Sequence, residues 1–233
     1  MNNPILDTSS DVAEVASGEV LSFVKGMSLS NREAAKYCHL FASQAATAAH
    51  HPNEEGQKWF EVYIQTMQAC GWVSIKYTYS KEKSSNREFT MDGLMVHALA
   101  GAVSLLGSGG TSASVLPVVA GNALKALDKA DEAISVISRN AVSKQGTSLS
   151  VASCMEQPNG EVIMTVGAVQ VNQTPDKKTG LLFFSWSGSN AETYTGSAAF
   201  TFHRSLYERN KDVVEGEVAD NARKTLLSLK LKR

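Results

Sequence analysis

The chain has 233 residues, with 22 lysines and arginines against 23 aspartates and glutamates, so its net charge is close to zero. That balance offers no general attraction to nucleic acid or to anionic lipid. Apolar residues make up 43% and charged residues 19%, which argues against disorder, because disordered chains combine high charge with low hydrophobicity. Three widely spaced cysteines, Cys38, Cys70 and Cys154, exclude a disulfide framework.

Residues 1–11 are polar and lack the apolar run of a secretory signal peptide. We therefore expect the protein to be cytoplasmic as synthesised and, if it is released, to leave without a classical signal. No window reaches the roughly 18 consecutive apolar residues of a membrane-spanning helix.

Residues 1–145 are predicted to be mainly helical. Residues 11–24 show a weak helical periodicity, and the pair Ser30 and Glu33 forms a capping box that predicts the start of a second helix. That helix is predicted to end at His50, and a third to end at Gly71. Residues 72–80 then alternate with a period of two, which predicts one half-buried strand with its apolar side formed by Val73, Ile75, Tyr77 and Tyr79.

Two further helices are predicted, a first over about 92–106 and a long central one over about 114–143. The long helix carries apolar residues at alternating steps of three and four, which is typical of a helix-packing seam. The seam consists of Ala120, Ala123, Leu127, Ala130, Ile134, Ile137 and Ala141. Its large members, Leu127, Ile134 and Ile137, are predicted to be buried, either within the chain or against a second copy.

Residues 146–233 are predicted to form an antiparallel sheet followed by a C-terminal helix. Asn159-Gly160 is a strong hairpin signal, since both residues accept a positive φ at low cost. Further strands are predicted over 181–187, as a central strand, and over 193–203. The fold class we predict is α+β: an N-terminal helical layer on a C-terminal antiparallel meander, joined by strand 72–80 into one compact unit.

Residues 93–124 contain no aspartate, glutamate, lysine or arginine. The segment is rich in glycine, alanine and serine, which allow close helix contacts in protein or in lipid. One interpretation is a central hairpin surrounded by the other helices and the sheet. The other is a sheltered hairpin that enters a bilayer, with its lipid-contacting residues at Leu94, Val96, Leu99, Val103, Leu105, Leu106, Val115, Leu116, Val118 and Val119. The second arrangement is similar in design to that of pore-forming toxins, although no motif matches a particular family.

Catalytic signatures are scarce, so we favour a non-enzymatic function. Cys154 served by His203 would be the nucleophile and base of a hydrolase assembled only in the fold. We expect no cofactor, no metal and no nucleic-acid partner; the partners we expect are a lipid bilayer and further copies of the chain. The sequence thus favours a membrane-active or oligomerising protein, such as a bacterial pore-forming toxin or virulence factor. The alternative is a soluble structural or partner-binding module.

Overall fold

The computed structural model describes residues 10–16, 19–82, 89–106, 111–127, 137, 140–144, 146–178, 184–186 and 191–228. Its helices are α1 (Leu29–Ala49), α2 (Gly56–Ala69), α3 (Met91–Ser104), α4 (Val115–Leu127) and α5 (Arg204–Ser228). Its strands are β1 (Val12–Ala16), β2 (Glu19–Phe23), β3 (Trp72–Lys81), β4 (Phe89–Thr90), β5 (Thr147–Glu156), β6 (Val162–Val171), β7 (Lys177–Lys178), β8 (Phe184–Trp186) and β9 (Thr193–Phe202).

Six strands form the main sheet in the order β1-β2-β5-β6-β9-β3, and β4, β8 and β7 form a small second sheet. Neighbours in the main sheet are antiparallel, except that β2 runs parallel to β5. Helices beside a largely antiparallel sheet confirm the α+β class. Strand β3 joins the sheet, as the sequence predicted.

Helices cover both faces of the main sheet, where the sequence predicted a single helical layer. Along β6, Met164 and Val166 pack into a cluster with residues of α1, α2 and α5. The alternate residues Ile163 and Val169 pack into clusters with residues of α3 and α4. Because successive side chains of a strand point to opposite faces, the sheet separates two cores.

The helical interpretation of residues 11–24 is wrong, and so is the expectation of a single strand in the first 145 residues. This segment forms the hairpin β1–β2, in which Val12 pairs with Phe23. Strand β2 also pairs with β5, bringing Val20 beside Val151. Pairing with a central strand outweighs a weak local periodicity, and valine and phenylalanine suit a buried strand.

Strand β3 is mostly exposed, contrary to the expectation of one buried apolar side. Its register with β9 shifts between Ser74 and Lys76. Trp72 precedes the shift and pairs with Phe202, whereas Tyr77 follows it and pairs with Ala198. Both of these β9 residues face the α1/α2 side of the sheet. A one-residue bulge exchanges the two faces of a strand, so Val73 and Ile75 are left in solvent, 44% and 46% exposed.

The predicted hairpin at Asn159-Gly160 is confirmed. Gly160 has φ +83°, its N–H donates to Gln157 O at 2.8 Å, and β5 and β6 pair along their whole length.

The predicted meander is interrupted, because Phe184–Trp186 pairs with β4 and β7 in the small sheet instead of forming a central strand of the main sheet. The long helix is preceded by a 3-10 turn and described as α4 over Val115–Leu127; residues 128–136 lie outside the described part.

Candidate functional site

Helix α3 lies very close to the sheet because small residues line the contact. A side chain built on Gly167 of β6 would place its Cβ 3.1 Å from Leu99 Cγ and 3.2 Å from Ala98 Cβ. One turn along, a Cβ on Gly101 would lie 3.4 Å from Ser197 Cβ. The Ser197 hydroxyl donates to Ala98 O at 2.7 Å, so a strand side chain bonds to a helix carbonyl. Close contacts at the two glycines and one hydrogen bond therefore position α3 on the sheet.

The predicted lipid-contacting residues fall into three groups according to exposure. Leu99, Leu116 and Val119 are buried. Val96 and Val118 are exposed, at 57% and 59%. The remaining members are partly buried: Leu94, Val103, Leu105, Leu106 and Val115.

Between Asp92 and Lys125, α3 and α4 present no aspartate, glutamate, lysine or arginine to the outside, although the exposed His97 has its Nε2 3.6 Å from Glu82 Oε1. Besides the two exposed valines, the exposed positions among the residues of 93–124 whose burial is described are Gly93, His97, Ala100, Ser104, Ser114 and Asn122. The first formal charge after Asp92 is that of Lys125. The hairpin is therefore an outer layer, and the interpretation as a central hairpin enclosed by helices is wrong. None of the described helices is both long and apolar enough to cross a membrane.

The seam of the long helix is only partly described. Ile137 is fully buried within the chain and packs with Trp186, Leu149 and Leu124 in the α3/α4 core. Its side chain therefore has no surface to offer a second copy. Ile134 lies outside the described residues, and the surroundings of the Leu127 side chain are likewise not described. That a second copy packs on this seam stays a prediction.

A buried polar chain that the sequence did not reveal connects β2 to α1 and α2. His39 has no solvent exposure; its Nδ1 lies 2.8 Å from the Tyr63 hydroxyl and its Nε2 lies 2.9 Å from Glu19 Oε2. Nε2 and Oε2 are close but not aligned as a hydrogen bond. Burial raises the pKa of Tyr63 well above its ordinary value, so this phenol keeps its proton.

Glu19 also lines a cavity of about 150 Å³ between the sheet and the α1/α2 pair. The floor comes from Ser148 and Ser150 of β5 and from Gln170 of β6, and Trp59 and Phe60 of α2 form a wall. The amide of Gln170 donates to Asn53 O at 2.8 Å and accepts from the Tyr79 hydroxyl at 2.6 Å. This cavity therefore combines aromatic rings, hydroxyls and one carboxylate.

The catalytic pair considered from the sequence has little reactivity. Cys154 is fully buried on β5, and burial raises the pKa of its thiol, which keeps it protonated and non-nucleophilic. His203 is exposed at the end of β9. His50 lies 3.1 Å from Glu55, and within the described ranges no group of three metal-ligating side chains comes together.

No family model and no curated protein matches this chain. Its distant structural neighbours include a virulence factor and a toxin. The structure of the Evf virulence factor is 12% identical over 90% of this chain and 82% of its own, with a TM-score of 0.36. A delta-endotoxin structure is 14% identical over 87% of this chain and 88% of its own, with a TM-score of 0.35. At these values the likenesses carry no activity over to this chain.

Proposed function

We propose that the protein acts on lipid bilayers, in the manner of a pore-forming toxin or virulence factor, through the layer formed by α3 and α4. The observation that carries this proposal is the absence of aspartate, glutamate, lysine and arginine from the outer surface of that layer between Asp92 and Lys125. Surface helices of globular proteins normally carry charges on the solvent side. Here two exposed valines, Val96 and Val118, stand on that side without a charged neighbour in the segment.

The layer suits contact along the membrane surface. Helix α3 has 14 residues and is about 21 Å long, shorter than the ~30 Å hydrocarbon core. A helix of this kind lies in the interface with its apolar side in lipid. The large apolar residues that face the sheet, including Leu99 and Leu116, would become available to lipid if the layer left the sheet.

A charge-placement experiment tests the outer surface without disturbing the core. We expect Val96→Asp combined with Val118→Asp to weaken vesicle binding and dye release at least tenfold, because carboxylates would have to enter the apolar interface. The matched control is Val213→Asp on α5, where the valine is 63% exposed on the opposite helical layer. Equal thermal stability of the variants, with loss of dye release confined to the double variant, supports the proposal. Wild-type protein that releases no dye from any vesicle composition contradicts it.

A reversible tether tests whether α3 must leave the sheet. The double variant Gly101→Cys and Ser197→Cys places two Cβ atoms about 3.4 Å apart, near the 3.5–4.5 Å of a disulfide. In a background with Cys38, Cys70 and Cys154 replaced by alanine, the oxidised protein should stay folded and fail to release dye. Reduction should restore release, and the S-methylated protein serves as the unbridged control. Full activity of the oxidised form would show that the layer acts without leaving the sheet.

A further inference from the structure

None of the described residues that line the cavity between the sheet and the α1/α2 pair comes from α3 or α4, so the proposed membrane layer does not use it. Its volume of about 150 Å³ is comparable to that of cavities that accept a benzene-sized molecule. Its lining mixes aromatic side chains with hydroxyl, amide and carboxylate groups, which can orient a small ligand.

The formal charge of the cavity lining favours a positively charged ligand over a negatively charged one. Among the described residues that line the cavity, Glu19 is the only carboxylate, and none is lysine, arginine or histidine. Oε2 of Glu19 lies 2.9 Å from His39 Nε2 and has no aligned hydrogen-bond partner among the described residues. On the floor, the buried Ser150 hydroxyl likewise finds no hydrogen-bond partner within the described part of the chain. An anion would meet an unfavourable field here, and a cation a favourable one.

The residues behind Glu19 hold its carboxylate in place. The Tyr63 hydroxyl lies 2.8 Å from His39 Nδ1, and His39 Nε2 lies 2.9 Å from Glu19 Oε2, so the imidazole lies between the phenol and the carboxylate. Because His39 is fully buried, solvent does not compete for this contact.

Aromatic side chains complete the recognition of an organic cation. Trp59, Phe60 and Tyr79 line the cavity together with Glu19. Aromatic rings attract alkylammonium groups through their negative faces, and a carboxylate adds charge pairing. We propose that this cavity binds a small alkylammonium cation, either free in solution or carried on a lipid headgroup.

Tetramethylammonium and choline are the probes, and the indole N–H signals in a ¹⁵N–¹H NMR spectrum are the readout. Trp59 lines the cavity and its Nε1 donates to Thr47 Oγ1 at 3.0 Å, whereas Trp72 and Trp186 are buried elsewhere and serve as internal references. We expect a saturable shift of the Trp59 signal alone, with a dissociation constant of about 1 mM or tighter. Sodium chloride of equal ionic strength should produce no shift.

Two controls distinguish recognition of the ligand's positive charge from simple filling of the cavity volume. The neutral isostere 3,3-dimethylbutan-1-ol should bind at least tenfold more weakly than choline to the wild-type protein. Glu19→Gln should weaken binding of tetramethylammonium at least tenfold, while Glu14→Gln on β1, a partly exposed glutamate outside the cavity, should leave it unchanged. The comparison of choline with its isostere needs no variant, so it stands even if Glu19→Gln does not fold.

The source of the cation follows from competition with vesicles. Choline that displaces the protein from phosphatidylcholine vesicles, but not from phosphatidylglycerol vesicles, indicates a headgroup ligand. Binding of choline without such competition indicates a free cation. Equal affinity for choline and its neutral isostere, or no shift of the Trp59 signal up to 100-fold above the expected constant, would overturn the proposal. Neither result bears on dye release, which tests the α3/α4 layer separately.

Discussion

At the scale of single residues, a distant carboxylate replaces the predicted helix cap. The sequence predicts that Ser30 and Glu33 cap α1, but the helix begins at Leu29, and its N-cap residue, Ser28, makes no side-chain cap. Glu156, at the end of β5, accepts from Ser28 N–H at 2.9 Å and from Asn31 Nδ2 at 2.8 Å. A carboxylate at this position also suits the positive end of the helix dipole.

We expect Glu156→Gln to lower the free energy of unfolding by about 1 kcal/mol at neutral pH, because the helix loses a charged cap. Burial opposes ionisation of Glu156, but the hydrogen bonds from Ser28 and Asn31 outweigh it and lower the pKa. A lowered pKa in the folded state means that the contribution is complete above the ordinary glutamate pKa of about 4.3 and is lost as the pH falls below it.

Urea titrations of Glu156→Gln at several pH values between 7 and 2 measure this contribution. The stability difference from wild type should shrink as the solution becomes more acidic. Glu161→Gln, at an exposed glutamate beside the hairpin turn, is the control and should change stability little. A difference that stays constant down to pH 2 would contradict a role for the charge.

The turn at Gly160 gives a second prediction at this scale. A β-branched residue is strained at φ +83°, although a Cβ there would meet no atom within 4 Å. We expect Gly160→Val to destabilise the protein by about 1 kcal/mol or more in denaturant titrations. Gly160→Asn should cost less, since asparagine tolerates the left-handed conformation. Equal effects of the two variants would mean that backbone strain is not the cause.

At the scale of elements, the contact between α3 and β6 decides how firmly the outer layer is held. Gly167→Val would push branched carbons into Leu99 and Ala98, and overpacking of this kind costs about 1–3 kcal/mol. If the layer must leave the sheet to act, the variant should be less stable yet release vesicle dye faster. Gly121→Ala on α4, where a Cβ meets nothing within 4 Å, is the control in the same layer. Slower dye release by Gly167→Val would contradict the proposed detachment.

At the scale of the whole molecule, the two cores can be monitored separately through thiols. Cys38, Cys70 and Cys154 all lie in the cluster between the sheet and α1, α2 and α5. We expect none to react with a thiol reagent in the native protein and all three to react after denaturation. On vesicles they should stay protected, because only the opposite core opens. Ala98→Cys, which reports on the α3 contact, should become reactive on vesicles; exposure of all four thiols together would indicate general unfolding.

The sequence predicted those parts of the fold that depend on strong local signals. Gly160 specifies its turn because few residues adopt a positive φ, and the long apolar pattern of α3 identified a helix within a few residues of its true bounds. The segment of β1 and β2 was misassigned because β2 is stabilised as a strand by pairing with β5, more than 120 residues away. A local sequence pattern carries no information about such a distant partner.

The candidate sites were predictable to different degrees. The absence of charge over residues 93–124 is visible in the sequence, and the structure adds which valines face outward. The Glu19–His39–Tyr63 chain was not predictable, since its members lie on three different elements. One local signal existed: His39 shares a helix face with Ala35 and Ala42, small residues that indicate close packing around the imidazole.

The bulge in β3 has a consequence for how copies of this protein can meet. As the last strand of the main sheet in the described part of the chain, β3 could template the addition of a foreign strand. The bulge between Ser74 and Lys76 distorts this edge strand, and the exposed Lys76 and Lys81 add positive charge along it. Both features discourage edge-to-edge aggregation. The β3 edge is thereby protected against strand addition, so a second copy is not expected to extend the sheet at β3.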